Sequence, residues 1–395
     1  MASSARVLAL ILPLAACSAR GQQPAPVTPA VEPPPVAVAP PAEPEPAVEP
    51  EPAVEPEPAV EPEPEPQGRV ALTDAQVELL FGTREDDPAE HRGGVTKARE
   101  GKHYLAGNER TLDAFHPHIE NVGGGYVGVG TDQAYLFMSW ARPEIAWLVD
   151  YDAAVIEVHE LYRLFFAAAT TPEEFVALWD KPAREQALAI IEAEHDPRRA
   201  KSLRRWYLGY RGWIHRRLRN VTRRMRKTKT PSYLTDQEHY AFVQQMHEQR
   251  RVRSMVVDLH ERKGLQGVAR ASEALGVPIR LLYLSNAEEY WPRYPKQYRN
   301  SIESLPLSDD AVVLRTLLIW NVNNDYRYNI QPAANYQRWL GQRYIDDVYD
   351  ITHGRPKAQA EEINFFQTTT EPEDSPSARR YFEAHPEARP TPDAS

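Results

Sequence analysis

Gly123-Gly-Gly-Tyr-Val-Gly-Val-Gly-Thr-Asp-Gln133 decides the fold, because it predicts a strand that runs into a glycine-rich turn. The strand is the apolar segment 126–129, and a helix is predicted to follow over 133–141. A second apolar strand, 145–149, ends in Asp150-Tyr-Asp152. Strand, helix and strand in this order are typical of the beginning of a parallel sheet.

The alternation of strands and helices continues through the C-terminal half of the chain. Apolar residues with a 3.6-residue period predict a helix over 153–169, and Gly276 closes a helix predicted over 264–275. Further strands are predicted over 253–259, 279–284 and 311–320, and short helices over 73–81 and 108–119. This pattern predicts an α/β fold with a doubly wound, mostly parallel, Rossmann-like sheet, in a domain that spans 69–370.

A basic helical insertion, 172–250, is predicted between the two halves of the sheet. The segment 197–229 contains 14 Lys or Arg residues and no acidic residue. Apolar residues recur at three- to five-residue spacing, at Leu203, Trp206, Tyr210, Trp213, Leu218, Val221 and Met225. Three interpretations stay open: a helix packed on the domain with a solvated basic face, contact of 197–229 with anionic lipid or lipopolysaccharide, and nucleic-acid binding, which export disfavours.

The first residues predict a signal peptide over 1–16 and a lipid anchor at Cys17. Arg6 precedes an apolar run, 7–14, that is too short to span a bilayer. Leu-Ala-Ala-Cys17 then resembles a lipobox, and Cys17 is the only cysteine of the chain. Since no Asp follows it, we expect a lipoprotein that is acylated, for example with palmitate, and held at the outer membrane of a bacterial cell envelope. The alternative is an ordinary signal peptide whose cysteine is incidental.

Both ends of the chain are predicted to be disordered. Residues 17–68 form a Pro/Glu-rich linker, in which 47–64 repeats Ala-Val-Glu-Pro-Glu-Pro three times. Frequent Pro forbids helix and the Glu residues repel one another, so this linker should be extended. The net charge of -10 arises here, because 21–68 holds ten Glu and no Lys or Arg. The tail 371–395, rich in Pro, is also predicted to lack structure.

The glycine-rich turn and the acid after the second strand predict a ligand-binding cleft. Glycines at Gly128 and Gly130 let the backbone come close to a ligand, and the following helix offers free N–H groups. Asp150 lies twenty residues after Gly130, at the end of the next strand, where a carboxylate can bind the vicinal hydroxyls of a ribose. Asp152 is a less favoured candidate. Alternatively, Asp150 caps the following helix.

Four segments resemble the motifs of class I S-adenosylmethionine-dependent methyltransferases. In order, they are Gly-Gly-Tyr-Val-Gly-Val-Gly-Thr-Asp-Gln133, Trp147-Leu-Val-Asp-Tyr-Asp, Val256-Val-Asp-Leu and Leu282-Tyr-Leu-Ser-Asn-Ala-Glu-Glu-Tyr-Trp. The resemblance covers about 105–345 and is closer still to a bacterial group with this Rossmann-like fold. It implies binding of S-adenosylmethionine or another nucleoside-type molecule, with Gly128 and Gly130 at the amino-acid moiety. It also implies Asp150 at the ribose, Asp258 near adenine and Asn286 beside the transferred methyl group.

The chain departs from the family pattern at several positions. Tyr126 replaces the usual acid before the first glycine, Asp132 replaces the third glycine, and no Pro-Pro-Tyr follows Asn286. Methyl transfer also requires residues that orient the acceptor or take its proton. Candidates for these roles are Asn286, Glu288, Glu289 and Tyr290, and the alternative is a polar loop at the end of a strand. Cofactor binding is therefore predicted, with Asp132 in the binding turn, and catalysis is left open.

A metal site is not predicted. A single cysteine excludes a zinc site built from cysteines, and it also excludes an intramolecular disulfide. His116 and His118 flank a proline without a third ligand in the vicinity, which is more typical of residues on a helix surface.

Two hypotheses for function follow, because S-adenosylmethionine is a cytosolic metabolite whereas the lipobox predicts export. In the first, the protein is a membrane-anchored lipoprotein whose methyltransferase-like domain binds a nucleoside-type molecule. In the second, it is a non-enzymatic protein of the cell envelope that interacts through the basic insertion. The first is weakened if Asp150 and Asp258 cap helices or pair with Arg residues.

Overall fold

Seven β-strands form one sheet in the computed structural model, which describes residues 71–89, 101–318, 325–352 and 365–389. The predicted signal peptide, Cys17 and the linker lie outside the described residues. The strands are β1 (Gly125–Val129), β2 (Ile145–Asp150), β3 (Val252–Val256), β4 (Ile279–Tyr283), β5 (Leu307–Leu318), β6 (Tyr326–Pro332) and β7 (Phe365–Gln367). They lie in the order β3-β2-β1-β4-β5-β6-β7.

The sheet is mostly parallel. Strands β1 to β5 are parallel to one another. Strand β6 is antiparallel to β5, and β7 is parallel to β6. Along the chain, β2 and β3 are added on one side of β1, and β4 and β5 on the other, so the direction of strand addition reverses at β1. The prediction of a mixed α/β fold with a mostly parallel sheet is confirmed.

The helices, in chain order, are α1 (Asp74–Phe81), α2 (His116–Ile119), α3 (Asp132–Ala141), α4 (Ala153–Ala168), α5 (Pro172–Ala177), α6 (Arg184–Glu194), α7 (Pro197–Thr228), α8 (Gln237–Glu248), α9 (Lys263–Leu275), α10 (Lys296–Glu303), α11 (Ala333–Gly341), α12 (Val348–Ile351) and α13 (Pro376–Ala384). The helix predicted over 108–119 is wrong in its first half. A 3-10 turn, Leu112–Phe115, precedes α2, because the backbone N–H of Arg110 and the hydroxyl of Thr111 donate to Asp325.

Two hydrophobic cores lie against the sheet, one on each face. Tyr126 of β1 belongs to the first core, whereas Val127 of β1 and Trp147 of β2 belong to the second. The first core includes α3, α4 and the helices α5 to α8, and the second includes α1 and α9 to α12. Because both faces of the parallel strands are covered, these strands are apolar almost throughout.

The range predicted as a helical insertion contains α5 to α8, but its buried residues differ from those predicted. Besides Arg217, the buried residues of α7 form an apolar row of Ala200, Leu203, Tyr207, Ile214, Leu218, Val221 and Met225. Trp206 and Tyr210 are only half-buried, and Trp213 is 38% exposed. Trp206 and Tyr210 nevertheless pack against the first core, so the prediction that these three aromatic residues lie on the apolar face is confirmed for these two and wrong for Trp213. Neighbouring members of this row are three or four residues apart, except for a gap of seven residues between Tyr207 and Ile214. All of these spacings keep the row on one side of the helix.

Helix α7 is held to the domain by ion pairs as well as by its apolar row. Five of its basic residues pair with acids of other elements, namely Arg199, Arg204, Arg217, Arg224 and Arg226. Arg217 is the buried one among them, and its Nε lies 2.7 Å from Asp132 Oδ2.

Across the described ranges, none of the helices combines the length and apolarity needed to cross a membrane.

The C-terminal segment is more structured than its composition suggests. Pro372–Asp374 forms a 3-10 turn and α13 follows, capped by the Ser375 hydroxyl, which accepts from the Ala378 N–H at 2.9 Å. Arg338 of α11 binds the carboxylate of Glu371 through two nitrogens. The prediction of a disordered tail is therefore wrong for 371–389, and residues 390–395 lie outside the described part.

Loss of Arg217 should loosen the attachment of α7. We expect Arg217→Met to lower the free energy of unfolding by about 3–5 kcal/mol, because the buried carboxylates of Asp132 and Glu109 would be left without a cation. Arg216→Met, on the exposed side of the same helix, should change it by less than about 0.5 kcal/mol. Urea unfolding followed by circular dichroism measures both, and equal effects would contradict the anchoring role of Arg217.

Candidate functional site

A cavity of about 340 Å³ lies at the carboxyl ends of the first four strands. Its lining includes Gly130 after β1, Asp150 at the end of β2, Asp258 after β3 and Asn286 after β4. A fifth contribution comes from 104–109, which precedes β1. The carboxyl ends of strands at a reversal of strand order form a crevice in open α/β sheets, and ligands bind there.

The two glycines of the predicted binding turn have different roles. Gly130 lines the cavity and has a φ of +100°, a conformation that favours glycine. Gly128 does not belong to the lining, and a Cβ at this position would lie 2.0 Å from the hydroxyl oxygen of Tyr126. The prediction that Gly128 approaches the ligand is therefore wrong: this glycine makes room for the buried ring of Tyr126.

His159 of α4 stabilises the Gly130 turn by a hydrogen bond. Its Nε2 lies 2.9 Å from the carbonyl oxygen of Gly130, and its Nδ1 lies 2.8 Å from the hydroxyl of Tyr135. Burial lowers the pKa of His159 to about 4, so the ring is neutral at physiological pH. Since a carbonyl only accepts, Nε2 carries the proton, and Nδ1 accepts from Tyr135. The Gly130 turn is therefore held by the tautomer of His159 that carries its proton on Nε2.

Asp132 binds protein groups instead of facing the cavity. Its Oδ1 accepts from the N–H of Gly107 at 2.6 Å, and its Oδ2 accepts from Arg217 Nε at 2.7 Å. The side chain is almost completely buried and is absent from the cavity lining. The prediction that Asp132 contacts a cofactor is therefore wrong, because Arg217, 85 residues further along the chain, occupies this carboxylate.

Asp150 is a buried carboxylate at the cavity, where the spacing predicted it. Its Oδ1 accepts from the N–H of Asp152 at 2.9 Å, and it forms no ion pair with any described residue. The cap of α4 is Asp152, which accepts from the N–H of Ala154 at 3.0 Å. The alternative that Asp150 caps this helix is therefore excluded. Burial raises the pKa of Asp150 from its ordinary value of 3.8 to about 7.

Asp258 also lines the cavity, at the end of the outermost strand. Its Oδ1 accepts from the N–H of His260 at 2.9 Å, so it stabilises its own turn. It forms no ion pair within the described ranges, and the residue at the N-cap of α9 is Arg262. Neither predicted carboxylate thus caps a helix or pairs with an arginine, which were the two arrangements that would have weakened a binding site.

The residues after β4 divide between the cavity and the second core. Asn286 and Tyr290 line the cavity. Glu288 is 1% exposed and lies 3.0 Å from Arg315 Nε, and it accepts from the hydroxyls of two tyrosines, Tyr294 and Tyr336. Glu288 is therefore a structural residue, and its selection as a catalytic candidate is wrong.

Glu289 likewise does not belong to the cavity lining. It accepts from the backbone N–H of Leu318 at 2.9 Å and from the hydroxyl of Tyr349 at 2.8 Å. These bonds join the loop after β4 to the end of β5 and to α12. Glu289 is therefore not a candidate for the chemistry of the site.

Glu109 was not predicted and is the most enclosed carboxylate of the cavity. Its Oε1 accepts from the hydroxyls of Tyr283 at 3.1 Å and Ser285 at 3.3 Å, and burial raises its pKa. It lies in a loop that the sequence pattern had assigned to a helix, sixteen residues before β1. The sequence contains no spacing or motif that marks it.

Aromatic residues complete the cavity, and its charged side chains are acidic. The aromatic lining residues are Tyr104, Tyr151, Tyr290, Trp291 and Tyr326, and the acidic ones are Glu109, Asp150, Asp152 and Asp258. Asp152 pairs with His103, whose ring meets that of Trp206 from α7 edge-on. His116 and His118 lie elsewhere, against Trp140 and Phe365. No cluster of three metal-ligating side chains occurs in the described ranges.

A protein-family model described as "Domain of unknown function (DUF7790)" matches residues 104–368, about two thirds of the chain. The match begins at Tyr104, the first residue of the cavity lining, and ends just after β7. It therefore includes the complete sheet and every cavity residue named above. No curated protein matches the chain.

Asp150 should make the free energy of unfolding depend on pH. Because its pKa is raised to about 7 in the folded protein, its contribution to stability is complete below about pH 4 and is lost as the pH rises to about 7. We expect Asp150→Asn to remove this loss, so that the variant gains stability over the wild type on going from about pH 5 to about pH 8. Urea unfolding at the two pH values tests this, and a constant difference would contradict it.

Proposed function

The chain belongs to the DUF7790 family, and we propose that its α/β domain binds a nucleoside-type small molecule such as S-adenosylmethionine. The observation that carries this proposal is the position of Asp150. This carboxylate lines the cavity one strand away from the Gly130 turn, and it forms no ion pair with a described residue. A buried carboxylate without a cation is costly unless hydrogen-bond donors reach it. The N–H of Asp152 is one such donor, and vicinal ribose hydroxyls would supply two more.

We also propose that the sheet is of the doubly wound, Rossmann-like kind. The reversal of strand order at β1 and the helices on both faces support this assignment. In such folds a ligand lies outside the carboxyl ends of the strands at the reversal, and the cavity lies at that edge. The antiparallel β6 and the short β7 extend the sheet away from the cavity.

The lining fits an adenosyl ligand in size and in chemistry. A volume of about 340 Å³ lies within the range of pockets for small molecules. Asp150 would accept from the ribose hydroxyls, Asp258 from the exocyclic amine of adenine, and the bare backbone of Gly130 would allow close approach. Val129, Val155 and other apolar side chains would cover the base.

Methyl transfer would require an acceptor in line with the activated methyl group that S-adenosylmethionine supplies. Asn286 and Tyr290 are the previously identified candidates that line the cavity and offer polar groups there. They would orient an acceptor by hydrogen bonds. An acceptor would therefore be held at these two residues.

Calorimetry of the full chain with S-adenosylmethionine and S-adenosylhomocysteine tests the binding proposal. At about pH 8, where Asp150 is mostly ionised, we expect saturable binding, and Asp150→Asn should weaken it at least about tenfold, because hydrogen bonds to a charged group contribute about 1.5–3 kcal/mol. Asp87→Asn is the control, since its side chain is exposed, pairs with Lys263 and does not belong to the lining, and it should leave the affinity unchanged. The absence of heat with either ligand at millimolar concentration would overturn the proposal.

We further propose that the domain is held at the outer membrane by acylation of Cys17, after removal of the signal peptide 1–16. The lipobox-like sequence before Cys17 and the Pro/Glu-rich linker 17–68 support this. Such a linker would set the domain at a distance from the membrane.

A second candidate function is contact of α7 with anionic lipid or lipopolysaccharide, which would make the protein a non-enzymatic interaction protein of the envelope. The observation that favours it is an exposed face of α7 where two large apolar side chains lie among cations. Leu208 is 41% and Trp213 is 38% exposed, and Arg205 and Arg216 lie on the same face. Apolar side chains flanked by basic residues are typical of helices that lie on a membrane surface.

Membrane fractionation of a Cys17→Ser variant separates the two attachments. We expect the variant to leave the membrane fraction, because its acyl chains are lost. Any residual association should be weakened by salt and abolished by the further change Trp213→Ala, if α7 binds anionic lipid. Unchanged fractionation of Cys17→Ser at high salt would contradict lipidation, and salt-insensitive residual binding would contradict the role of α7.

A further inference from the structure

We propose that a cleft between α5 and α7 binds the phosphomonoester headgroup of a membrane lipid. This inference rests on the second candidate function and deepens it, because it names the lipid group that α7 recognises and the residues that hold it. The cleft has a volume of about 470 Å³ and shares no lining residue with the cavity at the strand ends. It is therefore a separate site from the one proposed for a nucleoside-type molecule.

Basic residues of α7 form one wall of this cleft. Arg219, Arg223 and Arg226 line it at spacings of four and three residues, so their side chains are neighbours on the helix surface. His215 lies one turn before Arg219 on the same wall. Like charges at these spacings repel one another and destabilise a helix unless an anion lies between them.

The two carboxylates in the cleft already lie next to basic residues. Glu173 of α5 lies 2.9 Å from Nη2 of Arg226, and Oδ1 of Asp180 lies 3.4 Å from Nδ1 of His215. Both acids are thus engaged at the two ends of the basic wall, and neither pairs with the arginines in its middle.

Arg219 and Arg223 are the two cations that remain without an acid. Among the described residues, the Arg219 side chain forms no hydrogen bond or ion pair. The Arg223 side chain forms no ion pair there either, and its Nη1 donates to the amide oxygen of Asn220 at 3.1 Å. Both side chains are exposed, so their guanidiniums can turn toward a ligand in the cleft.

A phosphate monoester matches two neighbouring guanidiniums better than other common anions do. It carries nearly two negative charges near neutral pH, and three of its oxygens accept hydrogen bonds. Arginine binds such a group with two parallel N–H donors. A phosphodiester or a carboxylate carries a single charge, which would leave one of the two arginines without a counter-charge.

The remaining lining of the cleft indicates that the ligand also has an apolar part. Pro172, Val176 and Ala177 of α5 and Leu234 after α7 contribute apolar side chains. Leu234 is almost completely buried, and Val176 packs against the first core, so this surface belongs to the fixed part of the domain. A free phosphate would leave it exposed to water, whereas an acyl chain would cover it.

The cleft also adjoins the face of α7 that the second candidate function assigns to lipid. Arg219 follows the exposed Leu208 by eleven residues, which is close to three helical turns, so both lie on one side of α7, about 16 Å apart. Arg223 follows Arg216 of that face by seven residues, or two turns. A lipid headgroup in the cleft would therefore lie at the edge of this face, as in other basic pockets that bind lipid headgroups.

Calorimetry with short-chain lipids that stay dissolved as monomers tests the site. The protein is the full chain with Cys17→Ser, so that no acyl chain of its own contributes. Dihexanoyl phosphatidic acid is the monoester, dihexanoyl phosphatidylglycerol is the matching diester, and glycerol phosphate is the monoester without acyl chains. We expect phosphatidic acid to bind tightest, and each of the other two at least about fivefold more weakly.

A pair of double variants shows whether the cleft or the charge of α7 binds the lipid. Arg219→Gln combined with Arg223→Gln should weaken the binding of phosphatidic acid at least about tenfold, because both guanidiniums that face the phosphate are lost. Arg198→Gln combined with Lys201→Gln is the control. It removes the same charge from exposed positions of the same helix outside the cleft, and should leave the affinity unchanged within about twofold.

Three results would overturn the assignment. Equal binding of the two lipids, or equal weakening by both double variants, would show attraction by net charge without a defined site. Glycerol phosphate that binds as tightly as phosphatidic acid would show an anion site that does not recognise lipid. If none of the three probes binds, the cleft is not a lipid site, while the association of α7 with membranes through Trp213 is still decided by the fractionation experiment.

Discussion

The ion pair between Arg217 and Asp132 joins parts of the chain that are far apart in sequence. Arg217 comes from the middle of α7, Asp132 from the first turn of α3, and the guanidinium also donates to the carbonyl oxygen of Glu109 at 2.6 Å. Asp132 in turn accepts from the backbone of Gly107. Because buried charges must stay paired, these elements hold one another in a single arrangement. The segment before β1, the glycine turn and α7 therefore form one rigid side of the cavity.

The polar groups next to this ion pair are not all equally well paired. The Gly130 turn is supported by a neutral His159 in one tautomer, whereas Gln133 is buried and its Oε1 has no hydrogen-bond partner among the described residues. A buried polar atom without a partner lowers the stability of a folded protein.

Local pattern predicted the central strands and the edge at which their ends meet. The apolar segments of β1 and β2 and the helix between them were found within one or two residues, since hydrophobic periodicity is a local property. Because parallel strands end at one edge, the positions of Gly130, Asp150 and Asp258 followed from sequence spacing. The sequence could not predict that neither Asp150 nor Asp258 caps a helix or forms an ion pair with a described residue, because this depends on which side chains other elements bring near.

The sequence by itself determined the alternation of strands and helices, the basic character of α7 and the residues at the strand ends, because these depend on period and composition along the chain. Only the tertiary structure decided what each polar side chain binds. Asp132 and Glu288 lost their predicted roles to Arg217 and Arg315, which lie 85 and 27 residues away. Glu109 lines the cavity, where Tyr283 of β4 and Ser285 of the turn after it donate to its carboxylate. A buried charge pairs with the side chains that lie close to it in space, and the separation of residues along the chain does not show which side chains these are.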